Sequence, residues 1–159
     1  MNRLLTSAAL TLVVAIAFGA VALGAGADPA MGMWQLNLSK STFTAGTPLK
    51  SQTRNYSESD QTITLVMKVV AADGTQSTVQ TTYQLDGKDY PVSGTADYDS
   101  LTAKQIDANS ARFVLKKGGK MVGTTNRKVS KDGKTLTAKT KMTTANGQTS
   151  ESTMVFDKQ

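Results

Sequence analysis

The chain has 159 residues, 18 Lys and Arg against 12 Asp and Glu for a net charge of +6, and neither cysteine nor histidine. Those two absences remove the thiol nucleophile, the usual general base and the commonest zinc and haem ligands. They also rule out a disulfide framework, so packing and sheet hydrogen bonds must carry stability.

Arg3 opens the chain with positive charge, and Leu4 to Leu23 is apolar apart from Thr6, Ser7, Thr11 and Gly19. Ala25-Gly26-Ala27 then has the small-x-small form of a cleavage site, which predicts an export signal over residues 1–27 and a mature chain beginning at Asp28. The apolar run is long for a signal core, so an uncleaved membrane anchor is the competing reading. Residues 28–159 are the size of a single domain. An exported protein without cysteine fits a bacterial envelope, and the expected location is periplasmic or secreted.

Met31 to Leu38 reads as a first strand, residues 39–50 as a Ser-, Thr- and Gly-rich loop containing Pro48, and Ser51 to Ser57 as a second strand. In Thr62 to Val70, Ile63, Leu65, Met67 and Val69 share one face, which is the period of a half-buried strand. Asp73-Gly74, Asp86-Gly87, Gly118-Gly119, Asp132-Gly133 and Asn146-Gly147 follow as hairpin turns. Between and beyond them lie strands at Ser77 to Leu85, Asp89 to Val92, residues 99–106 and 111–117, Met121 to Val129, Thr135 to Thr143 and Ser150 to Lys158. Pro91 marks an edge or bulge. Asp107 to Ser110 turns between the strands on either side of it.

About ten hairpin-linked strands and no convincing helix predict an all-β domain. The expected form is a single up-and-down antiparallel barrel or clam, since closure removes the sheet edges. A ring of that size is wider than one that side chains just fill, so an interior space is expected. Tyr56, Met67, Tyr83, Phe113, Met121, Met142, Met154 and Phe156 are the candidate ligand-binding residues on the inward face. Methionine suits irregular apolar ligands.

Gly32-Met33-Trp34 resembles the G-x-W opening of the calycins, the superfamily of lipocalins and fatty-acid-binding proteins. Gly118-Gly119-Lys120 resembles the late turn of the fatty-acid-binding proteins, and Met154 to Lys158 their closing strand. The whole mature chain is similar to a group of exported bacterial lipocalin-like proteins, in Trp34 to Ser41, Asp86 to Val92, Ser130 to Lys134 and Val155 to Lys158. The resemblance implies a calycin-like barrel over 28–159 in which Trp34 closes one end. An Arg from a late strand stacks on that indole, Arg127 first and Arg112 second. Two features depart from the fatty-acid-binding pattern. Met154-Val155-Phe156 replaces the Arg-x-Tyr carboxylate clamp, and residues 39–50 are too short for a helical lid. Thr95-Ala96-Asp97-Tyr98 resembles the second lipocalin motif with Ala96 inserted.

The reading that follows is a non-catalytic exported module holding a small, mostly apolar molecule, with no catalytic residue, metal or cofactor. Charge supplies an alternative. Residues 104–141 hold eleven basic and two acidic side chains, so a Lys-rich outer surface with Lys116, Lys117, Lys139 and Lys141 contacts anionic lipid or polysaccharide of the envelope. Nucleic acid is excluded as a partner, because export removes it and the basic stretch has only Phe113 to stack on bases.

Overall fold

The computed structural model describes residues 28–44, 49–143 and 146–159, and the export segment read at residues 1–27 lies outside the described residues. Eleven strands follow one another: β1 Gly32–Leu36, β2 Thr42–Phe43, β3 Leu49–Ser59, β4 Thr62–Ala71, β5 Gln76–Tyr83, β6 Asp86–Ser93, β7 Ser100–Asp107, β8 Ser110–Lys117, β9 Lys120–Val129, β10 Thr135–Thr143 and β11 Thr149–Lys158. All pairings are antiparallel. β1 pairs with β3 through Trp34↔Arg54 and with β11 through Leu36↔Phe156. That double pairing closes β1 and β3 to β11 into a ten-stranded ring.

Part of the stretch expected to be loop is ordered differently. Leu38–Lys40 is a 3-10 turn capped by Asn37, and β2 pairs with β11 through Phe43↔Ser152. Because Asn37 N–H also donates to Val155 C=O at 2.8 Å, β1, the turn and β2 run in succession along one edge of β11. Two-residue strands carry no periodicity, so alternation could not reveal β2.

The Asp-Gly turns form for a reason visible in each of them. Asp73 Oδ1 accepts from Thr75 N–H at 2.8 Å, Asp86 Oδ1 from Lys88 N–H at 3.0 Å and Asp132 Oδ1 from Lys134 N–H at 3.1 Å, a side-chain mimic of a backbone turn. Asp107 does the same for Asn109 N–H at 2.8 Å without a glycine. The turn between β3 and β4 was silent in the sequence, because Asp60 and Gln61 take positive φ of 48° and 62° with no glycine at all.

These hydrogen bonds hold the Asp73, Asp86, Asp107 and Asp132 carboxyls below the usual carboxylate range; for Asp132 the Ser130 hydroxyl is the first cause. A depressed folded-state pKa means stability that is present above the unfolded value and lost as protons are taken up below it. Urea midpoints are therefore expected to hold level down to about pH 4 and to fall beneath it. With no histidine in the chain there is no imidazole step between about pH 5 and 8. Midpoints that fall between neutrality and pH 5 would contradict this.

The core gathers at one end. Trp34, Tyr83, Phe156, Ile63, Leu136 and Val129 are its largest fully buried side chains, each stabilising by about 1.5–3 kcal/mol when removed from water. The segment before β1 folds beneath them. Ala30 and Asp28 are buried there, Met31 N–H donates to Asp28 C=O at 3.0 Å, and the Trp34 indole N–H donates to Ala30 C=O at 2.7 Å.

Candidate functional site

Above the packed end the inward side chains thin out, leaving a cavity of ≈ 200 Å³ inside the ring. Its wall on β4, β8, β10 and β11 is apolar, with Leu65, Met67, Leu115, Met142 and Met154. Gly123 on β9 faces this wall because a Cβ there would sit 2.4 Å from the Met142 sulfur and 2.7 Å from Lys141 C=O. The mouth is framed by Asp97 and Tyr98 of the β6–β7 loop.

Polarity enters along β3, where Gln52, Arg54 and Tyr56 alternate onto the inward face. The Arg54 side chain is 7 % exposed as a residue, and its guanidinium lies 4.4 Å over the Phe156 ring. Among the described residues it has neither an ion pair nor a hydrogen bond, and its Nε is fully enclosed without a partner. Beside it, Gln52 Nε2 donates weakly to the Met67 sulfur at 3.8 Å while Oε1 has no donor.

Arg127 on β9 is the second interior cation. Its Nη2 donates to the Asp28 carboxylate, and its guanidinium sits 5.4 Å from the Tyr56 ring and 5.6 Å from that of Phe113. Nε and Nη1 are buried without partners. The Tyr83 hydroxyl lies near Arg127 without closing a hydrogen bond to it, and burial pushes that phenol far above its ordinary range. Burial likewise raises Tyr98, partly offset by the neighbouring Arg54. Both phenols stay protonated at neutral pH. The interior thus sets two guanidinium groups against one buried carboxylate.

Five of the eight candidate ligand residues meet at the cavity: Tyr56, Met67, Phe113, Met142 and Met154. Tyr83 and Phe156 are instead fully buried core, Tyr83 packed edge-on against Phe113 at 5.5 Å. Met121 is 67 % exposed, because it lies next to the Gly118-Gly119 turn where a bulge shifts the β8–β9 register. Trp34 is buried at the closed end, but the cation over its ring is Lys158, at 5.2 Å, in place of Arg127. Arg112 is exposed on the outer face. Of the surface lysines, Lys116 pairs with Asp89 at 2.7 Å and Lys141 with Glu151 at 3.1 Å, while Lys117 and Lys139 are exposed without an ion pair among the described residues.

Arg54 was the residue that sequence reading passed over. The signal was present, since it stands two residues from Tyr56 and so shares its inward face.

Fold and cavity together define a closed, ten-stranded antiparallel barrel with a polar floor, the architecture that the calycin resemblance implies. No protein-family model and no curated protein matches the chain. Among solved structures it is similar to a redesigned beta barrel, mFAP1, bound to DFHBI, with 15% identity over 82% of this chain and 95% of that one at a TM-score of 0.44. A second redesigned barrel, mFAP0, also bound to DFHBI, shows 14% identity over 82% and 99% at 0.42. The siderocalin Ex-FABP, described as functioning through dual ligand specificities, shows 11% identity over 82% and 74% at 0.37.

Proposed function

We propose that the protein is an exported, periplasmic or secreted, non-catalytic lipocalin-like module that holds one small amphipathic molecule inside the barrel. The apolar body of the ligand lies along Leu65, Met67, Leu115, Met142 and Met154, and an anionic group meets Arg54 and the free nitrogens of Arg127. The single observation that carries this reading is Arg54: a guanidinium facing the cavity, 7 % exposed as a residue, with its Nε enclosed and no acid paired with it among the described residues. Burying such a charge unpaired is costly, and an anion in the adjoining cavity removes that cost. The apolar ligand expected from the methionines is refined accordingly. The chain's lack of histidine and cysteine supports the non-catalytic part of the reading.

Thermal unfolding in the presence of a medium-chain alkyl carboxylate, the alcohol of equal length and the corresponding amine tests this. The carboxylate is expected to raise the midpoint most and the amine least. Arg54→Gln is expected to weaken carboxylate binding by about ten- to a hundred-fold while leaving alcohol binding nearly unchanged, as loss of a charge-assisted hydrogen bond would. An alcohol that binds as tightly as the carboxylate would remove the anionic group from the reading. Absence of binding by all three would remove the reading itself.

A further inference from the structure

The outer face of β7 to β10 carries charge that barrel formation does not require. Lys104 stands directly opposite Arg112, Arg112 opposite Asn126, and Asn126 opposite Lys139, one residue from each of four successive strands. Lys128 lies two positions from Asn126 on the same side of β9. Ala103, Phe113, Arg127 and Ala138 are buried on the inner side, so this row faces out, and all five of its members are exposed.

Among the described residues, none of these four cations forms an ion pair. Asp107 is the acid near Lys128, and its carboxylate is engaged by Asn109 N–H. Two lysines on the same strands are neutralised, Lys116 by Asp89 and Lys141 by Glu151, whereas Lys117 and Lys120 beside the Gly118-Gly119 turn form no ion pair among the described residues. Like charges directly opposite on adjacent strands destabilise the pair, and solubility is served as well by mixed signs. The row is therefore a cost that solubility alone does not explain.

A groove of ≈ 460 Å³ continues the row across β9 to β11. Thr124, Asn126, Lys139 and Thr153 line it together with Glu151, whose carboxylate is neutralised by Lys141 at 3.1 Å, and Thr42 and Thr44 form its far wall. Hydroxyls and an amide beside unpaired cations match the hydroxyls and carboxylates of an acidic sugar chain. A bilayer is a poorer fit, since the exposed large apolar residues Met33, Leu38, Ile106 and Met121 do not line the groove. Nucleic acid would need aromatic platforms, and none lines the groove.

We propose that this face is a docking groove for an extended anionic polysaccharide, held by Lys104, Arg112, Lys128 and Lys139 and by the hydroxyls beyond them. It is independent of the interior cavity. The test titrates the full-length protein with polygalacturonate at several salt concentrations, with phosphatidylglycerol vesicles and a single-stranded oligonucleotide as comparators. Polygalacturonate is expected to bind more tightly than either, with log affinity falling against log salt at a slope of about three.

Glutamine at Lys104, Arg112, Lys128 and Lys139 together is expected to weaken polygalacturonate binding by about ten-fold or more, whereas glutamine at Lys40, Lys88, Lys131 and Lys134 changes it by less than about two-fold. Asn126→Glu, a single exposed change, is expected to weaken it as well and keeps the test valid if the four-site variant does not fold. Equal losses in the two four-site variants, no effect of Asn126→Glu, or tighter binding to vesicles or oligonucleotide would each overturn the proposal.

Discussion

Asp28→Ala is expected to lower the unfolding free energy by about 3–5 kcal/mol, the cost of leaving a buried guanidinium without its acid. Arg127 is 2 % exposed and Asp28 7 %, so neither charge can reach bulk water in the folded state. Two further guanidinium nitrogens of Arg127 already lack partners, and losing Asp28 would leave the group with only its contacts to Tyr56 and Phe113. The carboxylate does a second task, since Asp28 Oδ1 accepts from Ala30 N–H at 2.9 Å and shapes the turn beneath Trp34. Removing both charges, as in Asp28→Ala with Arg127→Met, is expected to recover most of the loss, because an apolar pair carries no desolvation cost. Urea unfolding of the two variants measures this. A loss below about 1 kcal/mol for Asp28→Ala would show that the pair is not a stabilising element of the closed end.

Gly94→Ala is expected to cost about 3 kcal/mol or more, through backbone strain and a clash together. Gly94 has φ of +84°, and an added Cβ would lie 1.8 Å from Thr78 C=O and 2.8 Å from its carbonyl carbon, both backbone atoms of β5. Nothing flexible can yield. The position matters because β5 and β6 pair only through Gln80↔Ser93 and Thr81↔Val92. Below that point Pro91 has no N–H to donate, and the Thr81 hydroxyl reaches Pro91 C=O at 2.9 Å in place of the ladder. Thr81 and Val92 also line the cavity, so displacing this seam is expected to weaken ligand binding along with stability. Gly87→Ala separates the two causes. Its φ is +81° with nothing within 4 Å, so only the conformational cost of about 1–2 kcal/mol remains. Equal losses at the two glycines in urea unfolding would mean that the close approach of β5 and β6 is not rigid.

Much of the barrel was legible because local and global preferences agree along it. Thr135 to Thr143 alternates without a break, and the structure buries Leu136 and Ala138 while leaving Lys139 and Lys141 in solvent. The Asp-x-x turns could be read from residue type, since each depends on one side chain and its own backbone. What the sequence did not disclose depends on partners far apart in the chain. β2 exists because β11 offers it an edge at Ser152 and Thr153, more than a hundred residues later. Asp28 looked like the first residue after a cleavage site, and its meeting with Arg127 is set by barrel closure.

The site was legible by face and not by depth. Period two separates inward from outward, and Tyr56, Met67, Phe113, Met142 and Met154 do all line the cavity. It cannot say how far along the barrel axis a residue lies, so Tyr83 and Phe156 at the packed end were grouped with the cavity. Arg54 was missed for a different reason. A cation among Thr, Gln and Asn reads as a solvated strand position, and only closure of the ring shows it enclosed.

The most direct measurement is native mass spectrometry of the protein isolated from its own source, with the bound mass identified after release. One anionic amphiphile per chain, retained by the native protein and lost from Arg54→Gln, is the result this account predicts. A barrel that is consistently empty, or that carries a neutral or cationic molecule with equal occupancy in Arg54→Gln, would contradict it.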